Sequence, residues 1–450
     1  MLIQGGTVVT PAGERRCDVR CAGERIAAVA AQLDPQPGEE VIDARGCLVL
    51  PGVVDAHTHL WLEGQTADDP ASATAAAAAG GVTTCIDFCV QHEGETFSAA
   101  AAGARRRTEG AACVDFALHL TVTRLFDGWE ADLERLVAEG VTSAKVYTTY
   151  KGTVFYADDR TILRLLERSG QAGLLVQMHA ESDDLLEGAK RDLLAAGQTG
   201  LEFHGAARPA VAEEEAVSRG LFFSRVTGSP IYFVHLSSPR SVDLVSEAKA
   251  AGRTAFAETC PHFLCLDETA YSGANALRCL MTPPLRPRHL VEGLWRRLED
   301  GAIDAIGSDH CGFSLEQRGT SRRFDEVNPG IPGLETSLPL LFGRIETARL
   351  VALLSENPAR IFGLYPRKGS LEVGSDADLV ILDPSARGPL RDDEIRSRAG
   401  FTPFAGQELM GRVRTTLSRG RAVFDRGELH ADPTWGRFLD CEAFDARRIA

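Results

Sequence analysis

The sequence predicts an α/β protein, a (β/α)8 TIM barrel with a small β-sandwich domain built from both termini. Three observations carry that expectation. The middle of the chain alternates apolar strand segments with helical stretches, the pattern of parallel strands joined by helical crossovers. Eight such strands can be drawn, which suits a closed barrel better than an open sheet. The two ends share a different texture of short β-rich runs broken by turns, which suggests one sandwich assembled from both. The division expected is 1–49 and 366–427 for the two parts of the sandwich, 50–365 for the barrel and 428–450 for a C-terminal tail.

Taken in order, residues 2–9, 17–22 and 25–29 are β-rich, with Pro11-Ala12-Gly13 and Gly23-Glu24 as turns. Barrel strands are expected over 53–59, 83–88, 114–121, 143–147, 174–179, 231–235, 254–258 and 303–308. Helices fall between them, over 71–79, 128–139, 159–169, 211–226 and 242–251. The alanine-rich stretch 71–79 ends in Gly80-Gly81 before an apolar strand, so it reads as a close-packed barrel helix rather than low complexity. Near the other end, Gly374-Ser375-Asp376-Ala377-Asp378 leads into a strand at 379–382, and strands at 413–418 and 422–424 flank Arg419-Gly420.

Composition narrows the function. A chain of 450 residues exceeds one ordinary core, as a barrel plus a smaller domain requires. Hydrophobic residues make up 44% and charged residues 25%, ordinary for a soluble globular protein. The net charge of −15 argues against binding to nucleic acid or to anionic membranes. No run approaches the ~20 apolar residues of a membrane span. The first residues, Met1-Leu2-Ile3-Gln4-Gly5-Gly6, lack the basic and apolar regions of a signal peptide, so a cytoplasmic location is expected. Eleven scattered cysteines without a Cys-x-x-Cys pair read as buried free thiols.

The chemistry begins at Val53-Val54-Asp55-Ala56-His57-Thr58-His59. Residues two apart on a strand share a face, so His57 and His59 project together, where two imidazoles can share one metal ion. Further ligand-type residues end further strands: Lys145 on the fourth, His179 on the fifth, His235 on the sixth, and Asp309 after the eighth. Catalytic groups of this fold gather at those ends. Lys145 is the odd member, because an ammonium cannot bind a cation. In the mostly apolar Ser143-Ala144-Lys145-Val146-Tyr147, desolvation favours the neutral amine, which can add carbon dioxide to give a carbamate able to bridge two metals.

These stretches resemble the cyclic amidohydrolases, and within them the dihydropyrimidinase/hydantoinase branch. The resemblance runs through Asp55–His59, residues 76–88 (AAAAGGVTTCIDF), the stretch from Lys145 through Tyr150-Lys151-Gly152, Met178-His179-Ala180-Glu181 and Val234-His235-Leu236-Ser237-Ser238. It continues through Glu258-Thr259-Cys260-Pro261-His262, Met281-Thr282-Pro283-Pro284-Leu285-Arg286 and Gly307-Ser308-Asp309-His310-Cys311, and reaches Asn357-Pro358-Ala359 and 374–378. The resemblance implies two divalent ions, most often Zn2+. His57, His59, Lys145 and Asp309 would hold one and His179 and His235 the other, with a bridging hydroxide and Lys145 as N6-carboxylysine. It implies a homotetramer or homodimer acting on a small cyclic amide or imide. Asp309 would carry the proton from water to the leaving nitrogen, and Tyr150 would hydrogen-bond the oxyanion.

Three relatives compete for the substrate. Dihydroorotases carry an arginine just after the second metal histidine, where this chain has Leu60-Trp61-Leu62. Allantoinases generally lack the Tyr-Lys-Gly present at 150–152, although Glu258-Thr259-Cys260-Pro261-His262, Pro332-Gly333-Leu334-Glu335-Thr336 and Thr402-Pro403-Phe404 lean toward those relatives. The expected activity is therefore hydrolysis of a dihydropyrimidine or 5-substituted hydantoin, with an allantoinase or dihydroorotase-like enzyme as the alternative. Substrate contacts are expected at Tyr150, at Thr282, where the family has serine, and at Pro329, where Asn328-Pro329-Gly330 departs from the family's Pro-Asn-Gly. The substituent pocket is expected to involve Trp61, Leu62, the loop 90–97 and Phe155. A non-enzymatic assembly protein on this fold is disfavoured by the six intact ligands, and a one-metal barrel deaminase by Lys145 with Tyr150.

Overall fold

The computed structural model describes every residue except Glu63, Ala431 and Ala450. Seven parallel strands, Val53–His59, Val82–Val90, Asp115–Thr121, Ser143–Tyr147, Leu175–His179, Ile231–Phe233 and Ala255–Thr259, pair in sequence order. The eighth is split. Ala305–Ile306 pairs with the seventh strand while His310–Cys311 pairs with the first, so the two pieces close the sheet into a barrel. Its strands are buried along almost their whole length and rich in Val, Ile and Phe, as a parallel sheet covered by helices requires.

The helices fit that covering. Pro70–Ala79 presents alanines to the sheet, starts with Pro70 in the first turn and is capped by Asp69, which accepts from Ser72 N–H at 2.9 Å. Asp159–Ala172 is strongly amphipathic, with Ile162, Leu165 and Leu166 inward, and Gly173 ends it in the left-handed conformation.

Both chain ends build the second unit. A seven-stranded sheet includes Thr7–Thr10, Leu48–Pro51, Leu379–Asp383, Arg412–Ser418 and Arg421–Asp425, and a four-stranded sheet comes from residues 2–43. Ile3, Val19 and Ile26 of the smaller sheet meet Val8, Val49, Ile381 and Leu417 of the larger in one core. Lys368, fully buried, fastens this unit beneath the barrel, with Nζ 2.6 Å from Asp115 and 2.7 Å from Asp378.

The N-terminal end of the barrel is sealed. Phe362, Leu364 and Leu439 pack onto inward-facing Val54, Ile86, Ala117 and Tyr232. Small molecules therefore enter at the C-terminal ends of the strands.

Candidate active site

His57 and His59 stand two residues apart on the first strand, and the pleat turns both rings toward the barrel axis. Asp309 lies in the break of the eighth strand, with a left-handed backbone (φ 49°) that turns its carboxylate inward. Asp309 Oδ1 is 3.2 Å from His57 Nε2 and 3.5 Å from His59 Nε2. One ligand atom from each of the three falls within 4.8 Å of the others. Gly307 makes the approach possible, since a Cβ there would sit 2.6 Å from the Cβ of His57.

Lys145 is buried on the fourth strand with Nζ 2.9 Å from His57 Nε2 and 4.1 Å from the Phe88 ring centroid. The ring of His235 stacks on His57 at 5.2 Å and meets His179 edge-on at 4.5 Å. The six residues singled out as ligands thus converge. A cavity of about 360 Å³ opens over them, with His59, Lys145, His179, His235 and Asp309 in its wall and His57 just behind.

Two carboxylates hold the imidazoles in place. Glu258, at the end of the seventh strand, lies 2.6 Å from His57 Nδ1 and accepts from His235 N–H at 3.0 Å and Tyr232 O–H at 2.7 Å. With Nδ1 engaged by Glu258, His57 presents Nε2 toward Asp309, the nitrogen a metal ligand would use. Glu181 does the same for His179, 2.8 Å from its Nε2, and is itself clamped by the Arg208 guanidinium. Neither glutamate had a role in the sequence reading. The signals were there: Glu181 lies two residues beyond His179, and Glu258 ends a barrel strand.

The electrostatics suit a cation. Burial lowers Lys145 to about 8, against the pull of Asp309, which makes the neutral amine accessible near neutral pH. Burial lowers His59 to about 4, so it is an uncharged donor. Burial opposes ionisation of Asp309, but the histidines outweigh it and hold the carboxyl well below its usual range. His235 Nδ1 is buried without a hydrogen-bond partner. Imidazole nitrogens and a carboxylate oxygen around one point fit a divalent transition metal of the zinc type.

Tyr150, Thr282 and Pro329 line the same cavity. The Tyr150 hydroxyl is 2.8 Å from Thr282 Oγ1, and its ring lies 5.6 Å from that of His179. Leu62, Val90 and Phe155 line it too, whereas Trp61 belongs to an adjoining cavity. His310 faces Asp68 at 3.3 Å and takes no part in the wall.

A barrel with imidazole, lysine and carboxylate groups at its strand ends is the architecture of a metal-dependent hydrolase. The chain belongs to the amidohydrolase family, whose pattern it matches over residues 48–423. It is 34% identical to a D-hydantoinase of Ralstonia pickettii over 98% of both chains, and 35% identical to a D-hydantoinase of Geobacillus stearothermophilus over 97% of this chain and 96% of that one. Among solved structures, a dihydropyrimidinase from Brevibacillus agri superposes with a TM-score of 0.95, at 34% identity and 99% coverage of each chain.

Proposed function

We propose that the protein hydrolyses the ring amide bond of a hydantoin or dihydropyrimidine. The convergence of His57, His59 and Asp309 within 4.8 Å, beneath a cavity lined by Tyr150 and Thr282, carries this reading. The full-length similarity to D-hydantoinases supports it. Two divalent cations, Zn2+ in this proposal, would lower the pKa of a shared water and polarise the ring carbonyl.

His57, His59, Lys145 and Asp309 would hold one ion and His179 and His235 the other. Lys145 would bridge them as a carbamate, formed when its neutral Nζ attacks carbon dioxide and sheds a proton. The lowered lysine pKa supports that step. Asp309 accepts the proton of the attacking water and passes it to the leaving ring nitrogen. Tyr150 donates its hydroxyl to the oxygen on which charge develops, a contact aimed at the transition state. Thr282 orients that hydroxyl, and Pro329 offers the substrate only a carbonyl, because its nitrogen carries no hydrogen.

The same reading assigns a homodimer or homotetramer, supported by the exposed apolar side chains Val211, Phe222 and Val226 on the helix Ala210–Thr227. A cytoplasmic location is supported by eleven unpaired cysteines. Domain limits of 1–49, 50–365 and 366–427 are supported by the pairing of Leu48–Pro51 with Leu379–Asp383. Steady-state assays of hydantoin, 5-phenylhydantoin, dihydrouracil, allantoin and dihydroorotate on one metal-replete preparation test the activity. Turnover confined to allantoin or dihydroorotate would sink it.

A further inference from the structure

Beside the cavity over the metal ligands lies a second one of about 480 Å³. Leu62, Gln65, Val90 and Phe155 border both, so they form a common wall. Phe88 borders the second cavity, and its ring stacks at 5.2 Å on His59, which lines the first. Away from the metal ligands the second cavity is bounded by Trp61, His92 and Arg107.

Arg107 lies in the last turn of the helix Phe97–Thr108, and its guanidinium lies 5.8 Å from the centre of the Trp61 ring. Its neighbour Arg105 points elsewhere, bonded to Glu109 at 2.9 Å and stacked over Phe438. The acid of this cavity, Asp87, is turned to the backbone and accepts from Leu60 N–H at 2.8 Å. Burial pushes its carboxyl up to about 7, opposed by the backbone amides it accepts from and, less, by Arg107.

We infer that this second cavity takes the substituent of the substrate ring and that Arg107 binds a terminal carboxylate on it. The favoured substrates are then cyclic amides with an acidic side chain. The inference rests on the cyclic-amide reading above. Leu62, Val90 and Phe155, which border both cavities, would give a short aliphatic spacer an apolar lining, and a guanidinium presents the planar fork that matches a carboxylate. Trp61 supplies a ring face for the same cation. Arg107 is on the exposed side, so the attraction weakens as salt rises.

The test compares 5-(2-carboxyethyl)hydantoin with its neutral isostere 5-(2-carbamoylethyl)hydantoin on the metal-loaded enzyme, as wild type, Arg107→Gln and Arg107→Lys. The expected wild-type preference for the carboxylate in kcat/KM is roughly tenfold, the scale of a charge-assisted pair in a partly open site. Arg107→Gln should bring the ratio to about one, and Arg107→Lys should keep part of it. Calorimetry with 3-cyclopentylpropanoate and its amide, which have no ring amide to cleave, reads binding without turnover. A wild-type ratio near one, or a ratio unchanged in Arg107→Gln, overturns the inference while ring opening itself continues. If neither hydantoin is opened, Arg107-dependent binding of the propanoate keeps the cavity assignment and removes the reaction. Absence of that binding removes the cavity assignment.

Discussion

Replacing Tyr150 by Phe deletes one hydroxyl and leaves the ring. That hydroxyl makes a single hydrogen bond in the structure, 2.8 Å to Thr282 Oγ1, and the ring keeps its neighbours His179 at 5.6 Å and Tyr147 at 6.1 Å. Losing such a bond costs the folded protein about 1 kcal/mol. Losing a donor aimed at an oxyanion costs about 3–4 kcal/mol at the transition state, a fall of about 10²–10³ in kcat. The gap between these figures separates a catalytic donor from a packing residue. Burial raises the phenol above its ordinary 10, against the pull of Arg208, so Tyr150 stays a protonated donor through the neutral range and should add no break to the pH profile there. Tyr150→Phe should therefore fold with unchanged metal content and KM within a few-fold, while kcat on hydantoin collapses. The assay is steady-state kinetics beside metal analysis of the same preparation. An unaltered kcat would refute the role of Tyr150 and make allantoin the first substrate to try.

Lys145→Ala should strip most of the metal, read by elemental analysis, and short carboxylic acids should restore part of the activity; retention of two ions and full turnover would exclude the bridge. Asp309→Asn should be more damaging than Tyr150→Phe, since it removes a ligand and the proton carrier together, and equal residual rates would contradict that. Lys368→Ala leaves Asp115, Asp376 and Asp378 buried around a missing cation, so denaturant melts should show a loss of about 3–5 kcal/mol. A shift below about 1 kcal/mol would mean the hub adds nothing net. Light scattering should give a multiple of 48.4 kDa, and Phe222→Glu should move it toward the monomer; wild-type protein found only as monomer at micromolar concentration would count against assembly.

The barrel was legible because its strands are short apolar runs between strong helical signals. All eight expected strands lie within two residues of the observed bounds at both ends, with Ala305–Ile306 taken as the eighth. The two that end early do so for a local reason. The sixth strand was expected to reach His235 but stops at Phe233, because His235 adopts φ 42° and leaves the ladder to meet Glu258. The eighth was expected as one piece over 303–308, but its ladder is confined to Ala305–Ile306 until Asp309 has turned inward. Hydrophobic periodicity records which face a residue occupies and carries no sign of a backbone reversal made for a side chain's sake. The carboxylates behind the histidines escaped notice for a related cause. Glu181 and Glu258 carry no spacing signature of their own and acquire meaning only when strands five, six and seven stand side by side.

Those backbone reversals show where the fold stores strain. Of the five non-glycine residues with positive φ among the described residues, three are Tyr150, His235 and Asp309. Each such conformation costs about 1–3 kcal/mol and persists only where its surroundings over-determine it. The surroundings here are specific. Glu258 accepts the His235 amide, and Asp55, pushed up to about 6 by burial, accepts the amides of Ser308 and His57 on either side of the metal cluster. Thr153 closes a turn on the Tyr150 carbonyl through its own amide at 3.0 Å. Glu258 therefore does two jobs with one side chain, fixing the tautomer of His57 and the backbone of His235. These residues belong to the two different ion sites of the proposed pair, so a change at Glu258 should disturb both ions together rather than one.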